Sequence, residues 1–61
     1  MQLYYAETGL GACIRVANDE DEAYEKLLKE VGTANGIQEL REATDRDIAH
    51  VKAMGGRVPK I

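Results

Sequence analysis

The chain has 61 residues, one cysteine, one histidine and a formal net charge of −3. This length gives one small domain, residues 1–61, which buries only about 60% of the surface that its unfolded form exposes. A single cysteine excludes an internal disulfide, and one His with one Cys excludes a zinc site of four such side chains. We therefore expect stabilisation by self-association, most simply as a dimer.

Charge is distributed unevenly along the chain. Residues 1–50 hold all 11 acids and five of the eight bases, whereas residues 51–61 hold three bases and no acid. An acidic body argues against direct nucleic-acid binding, which requires a basic face. No apolar run approaches the roughly 18 residues of a membrane span, and no signal peptide is recognisable. With its lone thiol, the chain is expected in the cytoplasm and not in a membrane.

The first elements in chain order predict a β-hairpin. Residues 2–7 are rich in aromatic side chains, residues 8–11 form a glycine-containing turn, and residues 12–17 alternate between two faces. One face is expected to be buried and carries four apolar side chains: Leu3, Tyr5, Ile14 and Val16. Tyr4 and Arg15 would lie on the opposite face.

A capped helix is predicted after the hairpin. Asn18 or Asp19 caps its free N–H groups, and Gly32 ends it in a left-handed conformation. Five residues at helical spacing form an apolar stripe: Ala23, Tyr24, Leu27, Leu28 and Val31. The acids of residues 19–22 are interpreted as a solvated helix start, because contiguous helical acids do not converge on one calcium ion.

An Asn35-Gly36 turn separates this helix from an ambiguous segment, residues 37–43. Its residues are mostly helix formers, but Gly36 precedes it and Thr44 begins a second capped helix after it. We therefore predict a polar edge strand over residues 37–43, antiparallel to the first strand.

The second helix completes the predicted fold. Thr44 caps it with Asp47 three residues later, and Ile48, Val51 and Met54 form its narrow apolar stripe. The sequence thus predicts an α+β fold of order ββαβα. Its antiparallel or mixed three-stranded sheet has the order 2-1-3, with both helices packed on one face.

Neither glycine pair predicts a nucleotide site, and no cofactor or metal is expected. Gly9 and Gly11 precede a strand, whereas a dinucleotide fingerprint precedes a helix. Gly55 and Gly56 follow the second helix, where they predict a C-cap with Val58 folded back in a Schellman-like contact.

Catalysis requires a nucleophile, a base and an orienting group, and the chain offers too few such groups. His50 lies away from the apolar stripe and is interpreted as a surface histidine. In an enzyme, His50 or Cys13 would be the catalytic residue. We therefore expect a protein that is not an enzyme.

The stretch from Ala43 to Pro59, ATDRDIAHVKAMGGRVP, resembles the C-terminal end of short open reading frames of bacteriophages and prophages. The compact chain is also similar to phage accessory proteins, including those that blunt bacterial defences. The resemblance implies a small, non-catalytic, often oligomeric protein that works by binding, in the host cytoplasm if phage-encoded. It carries over no site residue.

Two binding modes stay open at this point. In the first, an acidic surface occludes a basic face of a host protein, such as a nucleic-acid channel. In the second, subunits trap a small nucleotide signal, with basic side chains on the phosphates and Tyr4 or Tyr5 stacked on a base. A phage structural component or a small regulator are further alternatives. The candidate ligand- or partner-binding residues are Tyr4, Arg15, Arg57 and Lys60, the last two recognising an anion or the acids of a neighbouring subunit.

Overall fold

The computed structural model describes residues 1–60. The chain folds into five elements: β1 (Gln2–Thr8), β2 (Gly11–Ala17), α1 (Glu20–Asn35), β3 (Ile37–Glu42) and α2 (Asp45–Ala53). The strands form one sheet in the order β2-β1-β3, and each neighbouring pair is antiparallel. The predicted α+β class, the element order ββαβα and the strand order 2-1-3 are confirmed.

The hairpin of β1 and β2 has the predicted arrangement of faces. Tyr5 lies opposite Ile14, and Tyr4 lies opposite Arg15. Because successive side chains of a strand point to opposite faces, these two cross-strand pairs mark the two faces of the sheet.

The two helices cover opposite faces of the sheet, so the prediction that both pack on one face is wrong. Ala23 of α1 packs against Tyr4, whereas Val51 of α2 packs against Tyr5. The physical reason lies in β1, whose residues 3–6 are apolar at consecutive positions. A strand that is apolar on both faces needs cover on both.

α1 begins where predicted and ends slightly later. Asp19 caps it, since the Glu22 amide donates to Asp19 Oδ1 at 2.8 Å. The helical conformation breaks at Gly32, where φ is 75°, and a further turn continues to Asn35. The positive φ explains why glycine occupies this position.

The predicted apolar stripe of α1 is only partly buried. Ala23 and Leu27 are fully buried against the sheet, and Leu28 and Val31 are half-buried. Tyr24 is 47% exposed, contrary to its place in the predicted stripe.

The predicted second helix and its cap are also present. The Asp47 amide donates to Thr44 Oγ1 at 3.2 Å, and the Thr44 amide donates to Asp47 Oδ2 at 2.9 Å. Val51 is buried and Ile48 half-buried, but Met54 is exposed because it follows the last helical residue.

Candidate functional site

Tyr4 does not stand free for recognition. It is 6% exposed beneath α1, and its hydroxyl donates to Gln2 Oε1 at 3.0 Å. Burial raises the pKa of Tyr4, and the negative charge of Glu42 raises it further. Its ring forms part of the core between the sheet and α1, where it cannot stack on a ligand.

Arg15 lies beside Tyr4 on the same face but is held by contacts within the chain. Its Nε donates to Glu30 Oε2 at 2.7 Å, and its Nη1 donates to the carbonyl of Ile14 at 2.8 Å. The guanidinium therefore joins the edge of β2 to α1 before any ligand binds.

Arg57 and Lys60 are exposed in the segment that follows α2. The Gly55 amide donates to the carbonyl of Lys52 at 3.0 Å, and the Gly56 amide to that of Val51 at 2.9 Å. With φ of 84° at Gly55, this is the Schellman arrangement that the sequence predicted.

Val58 anchors that segment. It packs against Tyr5, Ile14 and Val51 on the α2 face of the sheet. Arg57 therefore lies in a segment that is docked on the α2 face of the sheet. Tyr4 and Arg15 lie on the opposite face. The predicted binding residues Tyr4, Arg15 and Arg57 thus do not form a single site.

The two residues considered for catalysis also lie apart. His50 is exposed on α2, where it lines a groove of about 250 Å³ with Tyr5, Glu7 and Met54. Cys13 lies opposite Ala6 in the sheet and belongs to the α1 face. Burial raises the pKa of the Cys13 thiol, which disfavours the reactive thiolate.

One end of the molecule is strongly acidic. β2 and β3 both run toward this end, and α1 and α2 both begin there. We call it the acidic end and define it by its exposed or partly exposed acids: Asp19, Glu20, Asp21, Glu22, Glu25, Glu42 and Asp45. Within residues 1–60, Glu20, Asp21 and Glu25 form no ion pair. Their charges are therefore available to a partner.

Arg41 binds two acidic side chains and an aromatic ring, and the sequence analysis does not identify it. Its Nη2 donates to Asp47 Oδ1 at 2.7 Å and its Nη1 donates to Asp47 Oδ2, while its Nε donates to Glu39 Oε2 at 2.6 Å. The guanidinium carbon also lies 4.6 Å from the centroid of the Tyr5 ring. These contacts join β3 to the start of α2, and we call them the Arg41 clamp.

The clamp changes the titration of both charged partners. The Arg41 guanidinium and the Thr44 amide hold the pKa of Asp47 far below its usual range. Asp47 in turn raises the pKa of Arg41. A depressed carboxyl pKa means that the ionised form of Asp47 has more favourable interactions in the folded state than in the unfolded state. Ionised Asp47 therefore stabilises the fold at the start of α2.

An apolar patch lies on the side of α1 that overlooks β3. Lys26 and Glu30 lie on the β2 side, since Lys26 Nζ donates to the carbonyl of Val16 at 3.2 Å and Glu30 binds Arg15. Tyr24 and Leu28 are each two residues from Lys26, about 200° around the helix, and so lie on the opposite side. Leu40 of β3 lies on the α1 face, where it packs against the core cluster that contains Tyr4 and Ala23. We call the side chains of Tyr24, Leu28 and Leu40 the β3-side patch.

The described residues 1–60 contain no group of three His, Cys, Asp or Glu side chains that could hold a metal ion. In the same part of the chain, neither helix has the length and hydrophobicity that a membrane span requires. No family model matches the chain, and comparison with curated proteins and with solved structures found no match.

Proposed function

We propose that this protein works by binding a partner protein, and that its acidic end occupies a basic face of that partner. The observation that carries the proposal is the set of exposed acids at the start of α1, of which Glu20, Asp21 and Glu25 form no ion pair within residues 1–60. Charge complementarity of this kind steers association and selects the partner.

The resemblance of residues 43–59 to phage open reading frames supports a partner in the bacterial host and action in the host cytoplasm. An acidic surface that covers a nucleic-acid channel prevents the nucleic acid from entering it. Such occlusion needs no catalytic group. It is consistent with His50 and Cys13 lying on opposite faces of the sheet, where they cannot act as a pair.

The alternative, a nucleotide trapped between subunits, has less support. It requires a tyrosine that stacks on a base, but Tyr4 and Tyr5 are both buried. It also requires a free guanidinium, and Arg15 is bound to Glu30 and to a backbone carbonyl. Arg57 and Lys60 remain accessible, yet two exposed bases without a stacking partner make a weak nucleotide site.

The test compares two double variants of equal net charge. Glu20→Gln with Asp21→Asn removes two unpaired charges of the acidic end, while Glu7→Gln with Glu30→Gln removes two acidic charges elsewhere. Each protein is immobilised on a resin and incubated with an extract of bacterial cells at low and at physiological salt. Bound proteins and small molecules are then identified by mass spectrometry.

We expect a defined host protein to bind the unchanged chain and the second variant but not the first, with weaker binding at higher salt. Equal binding by both variants contradicts the role of the acidic end. A co-purified nucleotide with no bound protein contradicts the whole proposal and favours the alternative. Circular dichroism checks that both variants are folded.

A further inference from the structure

The outer edge of β3 carries backbone groups that are not hydrogen-bonded within residues 1–60. The Ala43 amide donates to the carbonyl of Leu3 at 2.9 Å, so Ala43 faces β1. Backbone groups alternate along the regular part of the strand, so those of Glu39 and Arg41 face β1 and those of Leu40 and Glu42 face outward. A register shift against β1 interrupts this alternation at Gln38, which has no partner in the β1–β3 ladder. In the described chain, no side chain or turn binds these outward groups.

The outer edge of β2 is different because side chains cover it. The two-residue hairpin turn fixes the outward groups as those of residues 12, 14 and 16. The carbonyl of Ile14 accepts from Arg15, and the carbonyl of Val16 accepts from Lys26. Ile14 has no exposed surface. Basic side chains that cover an edge are a known means of preventing strand pairing. On β3 the basic side chain, Arg41, binds Glu39 and Asp47 and covers no outward backbone group.

We propose that β3 is the self-association surface, where it pairs antiparallel with β3 of a second copy around a two-fold axis at Leu40. In this register, Glu39 of each copy lies directly opposite Arg41 of the other. The three strands of each copy then join in one continuous sheet. The proposal concerns a different surface from the acidic end and does not rest on the proposed function.

Charge complementarity selects the second copy as the occupant. Around Leu40 the charges of Glu39 and Arg41 are opposite in sign, so the strand is complementary to itself when it is reversed. Both side chains lie on the α2 face and are 46% and 44% exposed. Opposite charges directly across an antiparallel pair stabilise it, and like charges destabilise it. A one-residue shift in register would lose both charge pairs.

The β3-side patch gives the same surface an apolar component. Tyr24 is 47% exposed and Leu28 half-buried on the flank of α1 beside this edge. Leu40 lies on the same face and would sit on the two-fold axis. Pairing of β3 brings the patches of the two copies together, which buries the aromatic ring that α1 leaves exposed in one copy alone.

The first experiment measures the dimer dissociation constant by sedimentation equilibrium, for the unchanged chain and for two variants. Glu39→Arg places like charges across the proposed pair. Glu30→Arg is the matched control, because it makes the same change in charge. Each variant also removes an exposed acid bound to an arginine, at 2.6 Å for Glu39 and 2.7 Å for Glu30.

We expect the dissociation constant to rise roughly tenfold or more for Glu39→Arg, since two symmetric pairs become repulsive. It should change little for Glu30→Arg, which lies on the β2 side. Equal effects of the two variants would overturn the proposal, as would a strictly monomeric unchanged chain at millimolar concentration.

The second experiment tests the register by oxidation. In a Cys13→Ser background, Leu40→Cys provides a single thiol, which cannot form a disulfide within its own chain. In the proposed dimer it lies on the two-fold axis opposite the same thiol of the second copy, at about 5.5 Å between Cα atoms, within disulfide reach.

Mild oxidation should therefore give a covalent dimer from this variant. Glu42→Cys in the same background is the control and should stay monomeric under denaturing electrophoresis, because the two thiols would lie about 13 Å apart along the paired strands. Equal cross-linking of both proteins, or of neither, would contradict the pairing around Leu40.

Discussion

α1 and α2 are held to the two faces of one sheet by different kinds of interaction. α1 has 16 residues and buries Ala23 and Leu27 completely. α2 has nine residues, and Val51 is its only buried apolar side chain. The long helix is therefore fixed along its length by apolar packing, and the short one chiefly at its ends.

The ends of α2 carry the contacts that its length cannot supply. Thr44 and Asp47 form the capping box, Arg41 binds Asp47 from β3, and the Gly55 and Gly56 amides bind the last turn. An isolated helix of nine residues is not stable in water. Apolar truncation should therefore destabilise the α1 face most, whereas changes in polar or backbone contacts should destabilise the α2 face most.

The largest effect is expected for Leu27→Ala. Leu27 is fully buried between α1 and the sheet, so truncation removes apolar contacts and leaves a cavity. We expect the free energy of unfolding to fall by about 2–5 kcal/mol, measured by urea denaturation. Leu28→Ala is the control, because this half-buried neighbour should cost clearly less. Similar losses for both would mean that α1 is not fixed by its buried stripe.

Asp47→Asn tests the Arg41 clamp and should cost about 1–3 kcal/mol, since it weakens a charged hydrogen-bonded pair and a helix cap. The folded-state pKa of Asp47 is depressed. Its contribution is therefore complete above the ordinary aspartate pKa, near 3.9, and is lost as pH falls through and below that value.

The loss of stability between about pH 5 and pH 2 should accordingly be shallower in Asp47→Asn than in the unchanged chain. Asp45→Asn is the control for the loss of one carboxylate, because Asp45 is exposed in the same helical turn. Identical acid limbs in all three proteins would rule out Asp47 as the source.

Gly56→Ala tests the other end of α2. A Cβ at this position would lie 2.6 Å from Val51 Cγ1, so the buried valine or the backbone must shift. We expect a loss of about 1–3 kcal/mol in thermal unfolding. Gly55→Ala meets no such contact and should cost only about 1 kcal/mol, because its φ of 84° disfavours alanine. The reverse order would show that backbone conformation, not packing, governs this end.

The smallest effect is expected for Arg15→Ala on the α1 face. Both side chains of the Arg15–Glu30 ion pair are exposed to solvent. Such pairs contribute at most about 1 kcal/mol to stability. Its measured loss should be smaller than that of Asp47→Asn. An equal loss would mean that polar contacts fix both helices alike and would remove the contrast between the faces.

Local signals predicted the elements well, because each depends on neighbouring residues. The caps at Asp19 and Thr44 and the glycines after α2 act within a few positions of themselves. The choice of face for α2 is not local, although the run of apolar residues from Leu3 to Ala6 indicated that both faces of β1 need cover.

The candidate site was harder to predict. The sequence predicts that Tyr4 and Arg15 lie on a face of the sheet without a helix, but α1 covers that face. Arg41 gave no sign in the sequence, because its contact with Asp47 exists only when α2 packs on the face opposite α1. Side chains whose roles depend on tertiary placement cannot be ranked from spacing alone.

The sheet order has a consequence for synthesis on the ribosome. β1 occupies the centre of the sheet but precedes both of its neighbours in the chain. β2 is made at once, whereas β3 follows only after α1, a delay of a few seconds at about 5–20 residues per second. During that interval the nascent hairpin exposes the edge of β1 that later pairs with β3. The translation rate therefore sets how long this edge can mispair with another nascent chain.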